Sequence, residues 1–207
     1  MNIRPEILKN FMVLEGLDGA GTTTQAHLLL ERCARVGRAA HLTQEPTKNP
    51  IGQCIRSILK GRTPAKPETL AYLFAADRNE HLYGPGGIAE EAQKGRLVIC
   101  DRYLFSSLAY QSVDCGERLV RRLNKTFPLP EFLVYLDIVP AEGEKRLSSR
   151  NEREIFEYQA FQEKAAAVYG KILTGFSASG MKILCIDAGE APEVIHEKIW
   201  QVIEGQK

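Results

Sequence analysis

Residues 11–24 read FMVLEGLDGAGTTT: an apolar run that suits a buried strand, then a glycine-rich turn, then threonines that can open a helix. The turn follows the phosphate-binding pattern G-x-x-x-x-G-K-[ST] at Gly16, Gly21 and Thr23, and departs from it at Thr22, where the pattern has lysine. Glycines suit such a turn because backbone N–H groups can wrap an anion only where no Cβ blocks them, and the helix that follows adds its positive end. Thr23 would place a hydroxyl on a magnesium ion bridging the phosphates. A lysine at position 22 would set a compact cation on the β- and γ-phosphates, whereas threonine has only a neutral hydroxyl to offer. Taken alone, the stretch is better explained as an ordinary strand-to-helix turn rich in glycine; the rest of the chain decides otherwise.

Outward from this stretch, short apolar runs alternate with amphipathic ones. LVICD at 97–101, FLVYLDI at 132–138 and KILCID at 182–187 suit buried strands, with AAHLT at 39–43 a weaker fifth beside FMVLE at 11–15. Between them lie the helical patterns TTTQAHLLLERCARVG, IGQCIRSILKG and ETLAYLFAADRNEHL. Strands separated by helices imply right-handed βαβ units, hence an α/β fold with a parallel sheet covered on both faces; an α+β arrangement is the weaker alternative. Tyr83, Gly84, Pro85, Gly86 and Gly87 interrupt what could be one long helix, because proline and three glycines are strong breakers. With no repeat or linker, residues 1–207 are expected to form a single domain.

Composition excludes several classes of function. The chain has 207 residues and is 44% hydrophobic, enough for one well-buried domain and short for two. Its 27 Lys and Arg against 26 Asp and Glu leave no global charge that would draw nucleic acid or a membrane surface, so any anion binding must be local. Five scattered cysteines suit reduced thiols and a cytoplasmic location rather than a disulfide framework or a zinc site. No signal core or membrane-length apolar run is present, and a soluble protein with no membrane partner is expected.

Two downstream segments carry chemistry. LVICDRY sets Asp101 at the carboxyl end of a strand, where open parallel sheets place ligands. A carboxylate there can hold magnesium through water and Arg102 can bridge two phosphates, although Asp-Arg after a strand is often a structural ion pair. In SSLAYQ, Ser107, Tyr110 and Gln111 share one helix face at i, i+3 and i+4, and Phe74 and Arg78 stand in the same i, i+4 relation within LFAADR. An aromatic face with an arginine one turn away can stack a base and hydrogen-bond to it; a core phenylalanine with a surface arginine is the plainer alternative.

Read in order, FMVLEGLDGAG with TTQ, TQEP, the IR of IGQCIRSIL, LFAADR, LVICDRYLFSSLAYQ and IDA resemble the thymidylate kinases, nucleoside monophosphate kinases that phosphorylate dTMP; the match spans residues 11–188. The resemblance implies a three-layer P-loop NTPase fold with a five-stranded parallel sheet, a short mobile lid at about 146–157, a homodimer, ATP as phosphoryl donor and Mg²⁺. It assigns Phe74 to stacking on thymine, Arg78 and Gln111 to its edge, and Ser107 to completing the base pocket. Arg56 and Arg102 would grip the acceptor phosphate, Asp18 and Glu45 would lie near the acceptor sugar and the magnesium, and Tyr110 would lie against the 2′ position. On the donor side, Gly16, Leu17, Asp18, Gly19, Ala20, Gly21, Thr22, Thr23 and Thr24 would wrap the ATP phosphates, with Thr23 and Asp101 at the metal and the Asp187-Ala188 turn near adenine. Members of this family whose glycine loop lacks an arginine carry basic lid residues. Here Gly19 stands where that arginine could be, and Arg146, Arg150 and Arg153 follow at i, i+4 and i+7 in EKRLSSRNER. A solvated basic face would give the same spacing. Arg150 and Arg153 are expected to reach the phosphates before Arg146, which lies nearer the helix interior. NEREIFE departs from the family's usual lid sequence.

An acceptor that is already a phosphate, with a second pKa of about 6, needs cations rather than a general base. Three readings follow: an active dTMP kinase, a kinase of the same fold acting on another nucleotide, or a nucleotide-binding protein that lost catalysis with the lysine.

Overall fold

The structure is a computed structural model that describes residues 6–147 and 155–205. Its apolar runs form five parallel strands, β1 (Ile7–Gly16), β2 (Ala40–Gln44), β3 (Leu97–Asp101), β4 (Leu129–Asp137) and β5 (Lys182–Asp187), in the order β2-β3-β1-β4-β5. β3 is buried throughout and β4 up to its last residue. Strands covered on both faces read as continuous apolar runs, which is why these were visible in the sequence.

The helices are α1 (Thr22–Arg35), α2 (Pro50–Leu59), α3 (Pro67–Tyr83), α4 (Ile88–Gln93), α5 (Leu104–Cys115), α6 (Glu117–Asn124), α7 (Pro140–Leu147), α8 (Gln159–Phe176) and α9 (Pro192–Glu204). α1 packs with α9 and along β1, β2 and β3, while α3, α4, α5, α6 and α8 pack among themselves as a second group. Proline opens α2, α3 and α9, where its missing N–H costs nothing. The breaker at 83–87 separates α3 from α4 as expected, with Gly86 at φ 71°. No helix among the described residues is long and apolar enough to cross a membrane, and all five cysteines are free.

Strand register brings the site together. Leu14 of β1 and Gln44 of β2 are both level with Asp101 of β3. The glycine turn, the Asp101-Arg102 turn and Glu45 therefore emerge at one carboxyl edge of the sheet, where open parallel sheets bind ligands. β1 and β4 start earlier than the apolar runs indicated. Pairing between them is interrupted between Leu8 and Met12, Asn10 takes a left-handed φ of 59°, and its N–H donates to Glu131 Oε2 at 3.0 Å. An interrupted strand carrying Lys9 and Asn10 opposite Pro130 has no apolar pattern to announce it.

Candidate active site

A cavity of about 600 Å³ opens at this edge, between the glycine loop, the turn after β3, α3, α5 and α7. The loop depends on its glycines. Gly21 precedes α1 at φ 95°, and Gly19 sits at φ 85° with the place of a Cβ only 2.5 Å from the Gly143 carbonyl oxygen of α7. A Cβ on Gly143 would in turn collide with the Asp18 carbonyl oxygen. α7 thus rests glycine on glycine against the loop backbone, and an arginine at position 19 would have to lift it. This seating carries Arg146 into the cavity wall, where Nη2 donates to Ala188 O at 2.9 Å and Nη1 to Gly19 O at 3.4 Å. Arg146, expected to reach the phosphates after the other two, is thus set beside the loop; Arg150 and Arg153 lie outside the described residues.

At the start of α1, Thr23 Oγ1 donates to Asp101 Oδ2 at 2.5 Å, while Asp101 Oδ1 is buried without a hydrogen-bond partner. A hydroxyl and a carboxylate with an unsatisfied oxygen, beside the glycine loop, suit a hydrated hard cation of the magnesium type. Among the described residues no group of three or more His, Cys, Asp or Glu forms a denser metal cage. Thr22, in the lysine's position, is buried. No lysine among the described residues lines the cavity; its cations are Arg56, Arg78, Arg102 and Arg146.

Arg102 is held from several directions. Its Nη1 donates to Gly16 O at 3.0 Å and Ser106 Oγ at 3.3 Å, its Nη2 to Asp18 Oδ1 at 2.6 Å, and its guanidinium lies over the Tyr110 ring at 5.4 Å. Burial alone would disfavour the charge, but its surroundings, the Asp18 and Asp101 carboxylates among them, outweigh burial and keep the group protonated. Burial and the neighbouring Asp18 charge likewise push the Tyr110 hydroxyl up, so it stays a phenol. Gln162 of α8 fastens this corner: Nε2 donates to Asp18 Oδ2 and to Phe156 O, both at 2.7 Å, and Oε1 accepts from Asp18 N at 3.3 Å.

At the opposite end, Arg78 is buried and donates from Nε (2.9 Å) and Nη2 (2.6 Å) to Glu45 Oε2, from Nη2 to Ser107 Oγ at 3.0 Å, and from Nη1 to Asn124 Oδ1. These bonds occupy all but one of the five guanidinium N–H donors, leaving a single Nη1–H. Glu45 Oε1 meets His81 Nδ1 at 3.1 Å. The loop after β2 is tied down by Asp77, which accepts from Thr47 N at 2.7 Å and Thr47 Oγ1 at 2.5 Å. Phe74 and Gln111 line the same end, and Gln111 Oε1 is buried without a partner. Arg56 also lines it, donating to Pro46 O.

Asp18, Gly19, Ala20, Gly21, Thr22, Thr23, Thr24, Glu45, Asp101, Tyr110 and Ala188 share this cavity with the residues above. Four others stand back from it. Leu17 faces the core, Gly16 contributes only its carbonyl, Ser107 touches Arg78 from behind, and the exposed Asp187 turns its carboxylate to the Gly189 amide at 2.8 Å. Sequence reasoning missed Gln162, His81 and Asn124, whose partners lie far along the chain and leave no local pattern.

This architecture has counterparts. The thymidylate kinase family model matches residues 14–199. A Treponema pallidum (strain Nichols) protein is 44% identical over 196 residues, covering 93% of this chain and 94% of its own length. A Methanococcus aeolicus protein is 35% identical over 203 residues (97% and 98%), and one from Synechococcus sp. (strain JA-3-3Ab) is 36% identical over 206 residues (94% and 95%). The Synechococcus protein is named thymidylate kinase outright and the other two provisionally.

Proposed function

The chain belongs to the thymidylate kinase family, and we propose that its cavity carries the family's reaction, transfer of the γ-phosphoryl of ATP to dTMP to give dTDP and ADP. The observation that carries the acceptor assignment is that Arg78, with one N–H left over, and Gln111, whose Oε1 has no partner, both line the cavity. One donor and one acceptor suit a pyrimidine edge that shows a keto oxygen next to an N–H, as thymine does and cytosine does not. Phe74 supplies the stacking face. UMP shares that edge, and its 2′-hydroxyl would meet the Tyr110 ring.

The acceptor phosphate is largely a dianion at neutral pH, so no residue has to remove its proton. Two like charges at about 4 Å repel by roughly 4 kcal/mol at an effective dielectric near 20, and neutralising that repulsion is the work of the site. Arg102, fixed between the loop carbonyl of Gly16 and Asp18, stands where donor and acceptor phosphates would meet, with Arg56 on the acceptor side. Magnesium, held by Thr23 and Asp101, would neutralise phosphate oxygens. Main-chain amides of residues 19–24 would hold the donor phosphates. A cytoplasmic homodimer acting on nucleotides, without nucleic acid, completes the proposal; it rests on the family and the free thiols.

The reading as a protein that merely holds nucleotide is not favoured, because an acceptor end this fully built has no use there. A coupled assay with ATP and Mg²⁺ tests it: dTMP is expected to be preferred over dCMP, dGMP and UMP, and equal turnover of dCMP and dTMP would contradict the base assignment.

The missing lysine is covered from the lid. Among the described residues Arg146 donates to two neutral carbonyls and to no carboxylate, and Arg150 and Arg153 follow it in sequence. Thr22→Lys is expected to rescue much of what Arg146→Ala, Arg150→Ala and Arg153→Ala remove from kcat, a coupling above about 0.5 kcal/mol. Strict additivity would separate the lid from position 22.

A further inference from the structure

Arg102 is one of two described non-glycine residues with positive φ, at 70°, and such a residue must be held there by its surroundings. The helix that follows has no cap of its own: α5 starts after Tyr103 without a side-chain hydrogen bond from its N-cap residue. The cap comes instead from β1. Glu15 Oε1 accepts from Tyr103 N at 2.9 Å and Ser106 N at 3.1 Å, which places a carboxylate on the positive end of α5. Glu15 Oε2 accepts from Ser106 Oγ at 2.6 Å and from Tyr169 Oη of α8 at 2.8 Å. Ser106 Oγ is in turn an acceptor for Arg102 Nη1.

Glu15 is almost fully buried and no cation among the described residues bonds it directly, a costly arrangement for a carboxylate unless donors fill its lone pairs. Four neutral donors do so, two on each oxygen, and the ionised form accepts all four without conflict, whereas a proton on Oε2 would compete with the Ser106 and Tyr169 hydroxyls there. Burial pushes the carboxyl up, opposed by Arg102, Ser106, Tyr169 and Tyr103. Tyr169 lies two turns beyond Gln162 on α8, so the helix that fastens Asp18 at one point fastens the Arg102 turn at the other.

We propose that Glu15 and Tyr169 are positioning residues: the β1 carboxylate caps α5 from outside and, latched by the α8 phenol, holds the left-handed turn that presents Arg102 to the transferring phosphate. The inference rests on the function proposed above only for what Arg102 does. Glu15→Gln and Tyr169→Phe, which keep volume and ring packing, are to be compared with the parent by hydrogen exchange, thermal unfolding and steady-state kinetics. Exchange is expected to rise selectively at the amides of residues 102–106, with kcat about ten- to a hundredfold lower and KM for ATP unchanged. Unaltered exchange at those amides overturns the latch, and so does faster exchange spread evenly over the sheet, which would make Glu15 an ordinary stabilising group. A local rise with normal kcat overturns the positioning role. If the parent does not phosphorylate dTMP, the proposed function fails while the exchange arm still decides the latch.

Discussion

Arg102→Ala is expected to lower kcat by about a hundred- to a thousandfold, the usual cost of removing a donor aimed at charge that develops in the transition state. KM for dTMP should move far less, because a group bridging donor and acceptor phosphates binds most strongly when the phosphoryl group is between them. The structure favours this split: the guanidinium is prepaid, oriented by Gly16 O, Ser106 Oγ and Asp18 before any substrate arrives. Arg102→Lys should recover only part of the loss, since lysine keeps the charge but not the planar fork that meets these three partners. Steady-state kinetics at saturating ATP distinguish the outcomes, and a pure KM effect would contradict the role. Alanine at φ 70° carries the same Cβ strain as the arginine it replaces, so the substitution leaves that part of the stability unchanged.

Arg78→Ala should have two effects where the sequence suggested one. Loss of acceptor affinity, about 1.5 to 3 kcal/mol for a charge-assisted hydrogen bond, was expected from the base-edge role. The structure adds a stability cost of about 3 to 5 kcal/mol, because the change strands Glu45 as a buried carboxylate facing only His81. The guanidinium also lies 5.1 Å from the Tyr103 ring and 5.7 Å from that of Phe127, so packing is lost with the charge. Arg78→Met combined with Glu45→Gln separates the two: denaturant unfolding should recover most of the stability, while calorimetric dTMP affinity should stay low. Recovery of both would mean that Arg78 serves the fold alone, and loss of both would mean that the Glu45 carboxylate itself is needed.

How much of this was legible depends on the range of each interaction. β3 begins and ends where its apolar run does, because a strand buried in a parallel sheet has to be apolar along its length; β5 keeps the bounds of its run but, at the sheet's edge, buries only Ile186, where a buried strand was expected. The first half of β1 was invisible, since its pairing breaks at a left-handed asparagine. The glycine loop was legible because Gly19 and Gly21 need positive φ, a requirement that amino-acid type alone expresses. Phe74, Arg78 and Gln111 were legible as i, i+4 neighbours and as motif residues, yet nothing local indicated that Glu45, Ser107 and Asn124 would occupy most of Arg78's donors.

The sequence by itself thus determined the α/β class, the loop and the missing lysine, since these are written in residue type and short-range periodicity; the residues proposed at the acceptor end came from the resemblance to the thymidylate kinases. Tertiary structure alone decided which groups hold them. Glu15 and Tyr169, Asp18 and Gln162, and Arg78 and Asn124 are joined by hydrogen bonds spanning |i−j| of 154, 144 and 46, and pairs so distant in the chain meet only when strands and helices pack. Arg146 follows the same rule. It was expected behind Arg150 and Arg153, being nearer the helix interior, and it reaches the cavity because Gly143 lets α7 settle on the backbone of Gly19, a contact made by the absence of two side chains and therefore readable only in three dimensions.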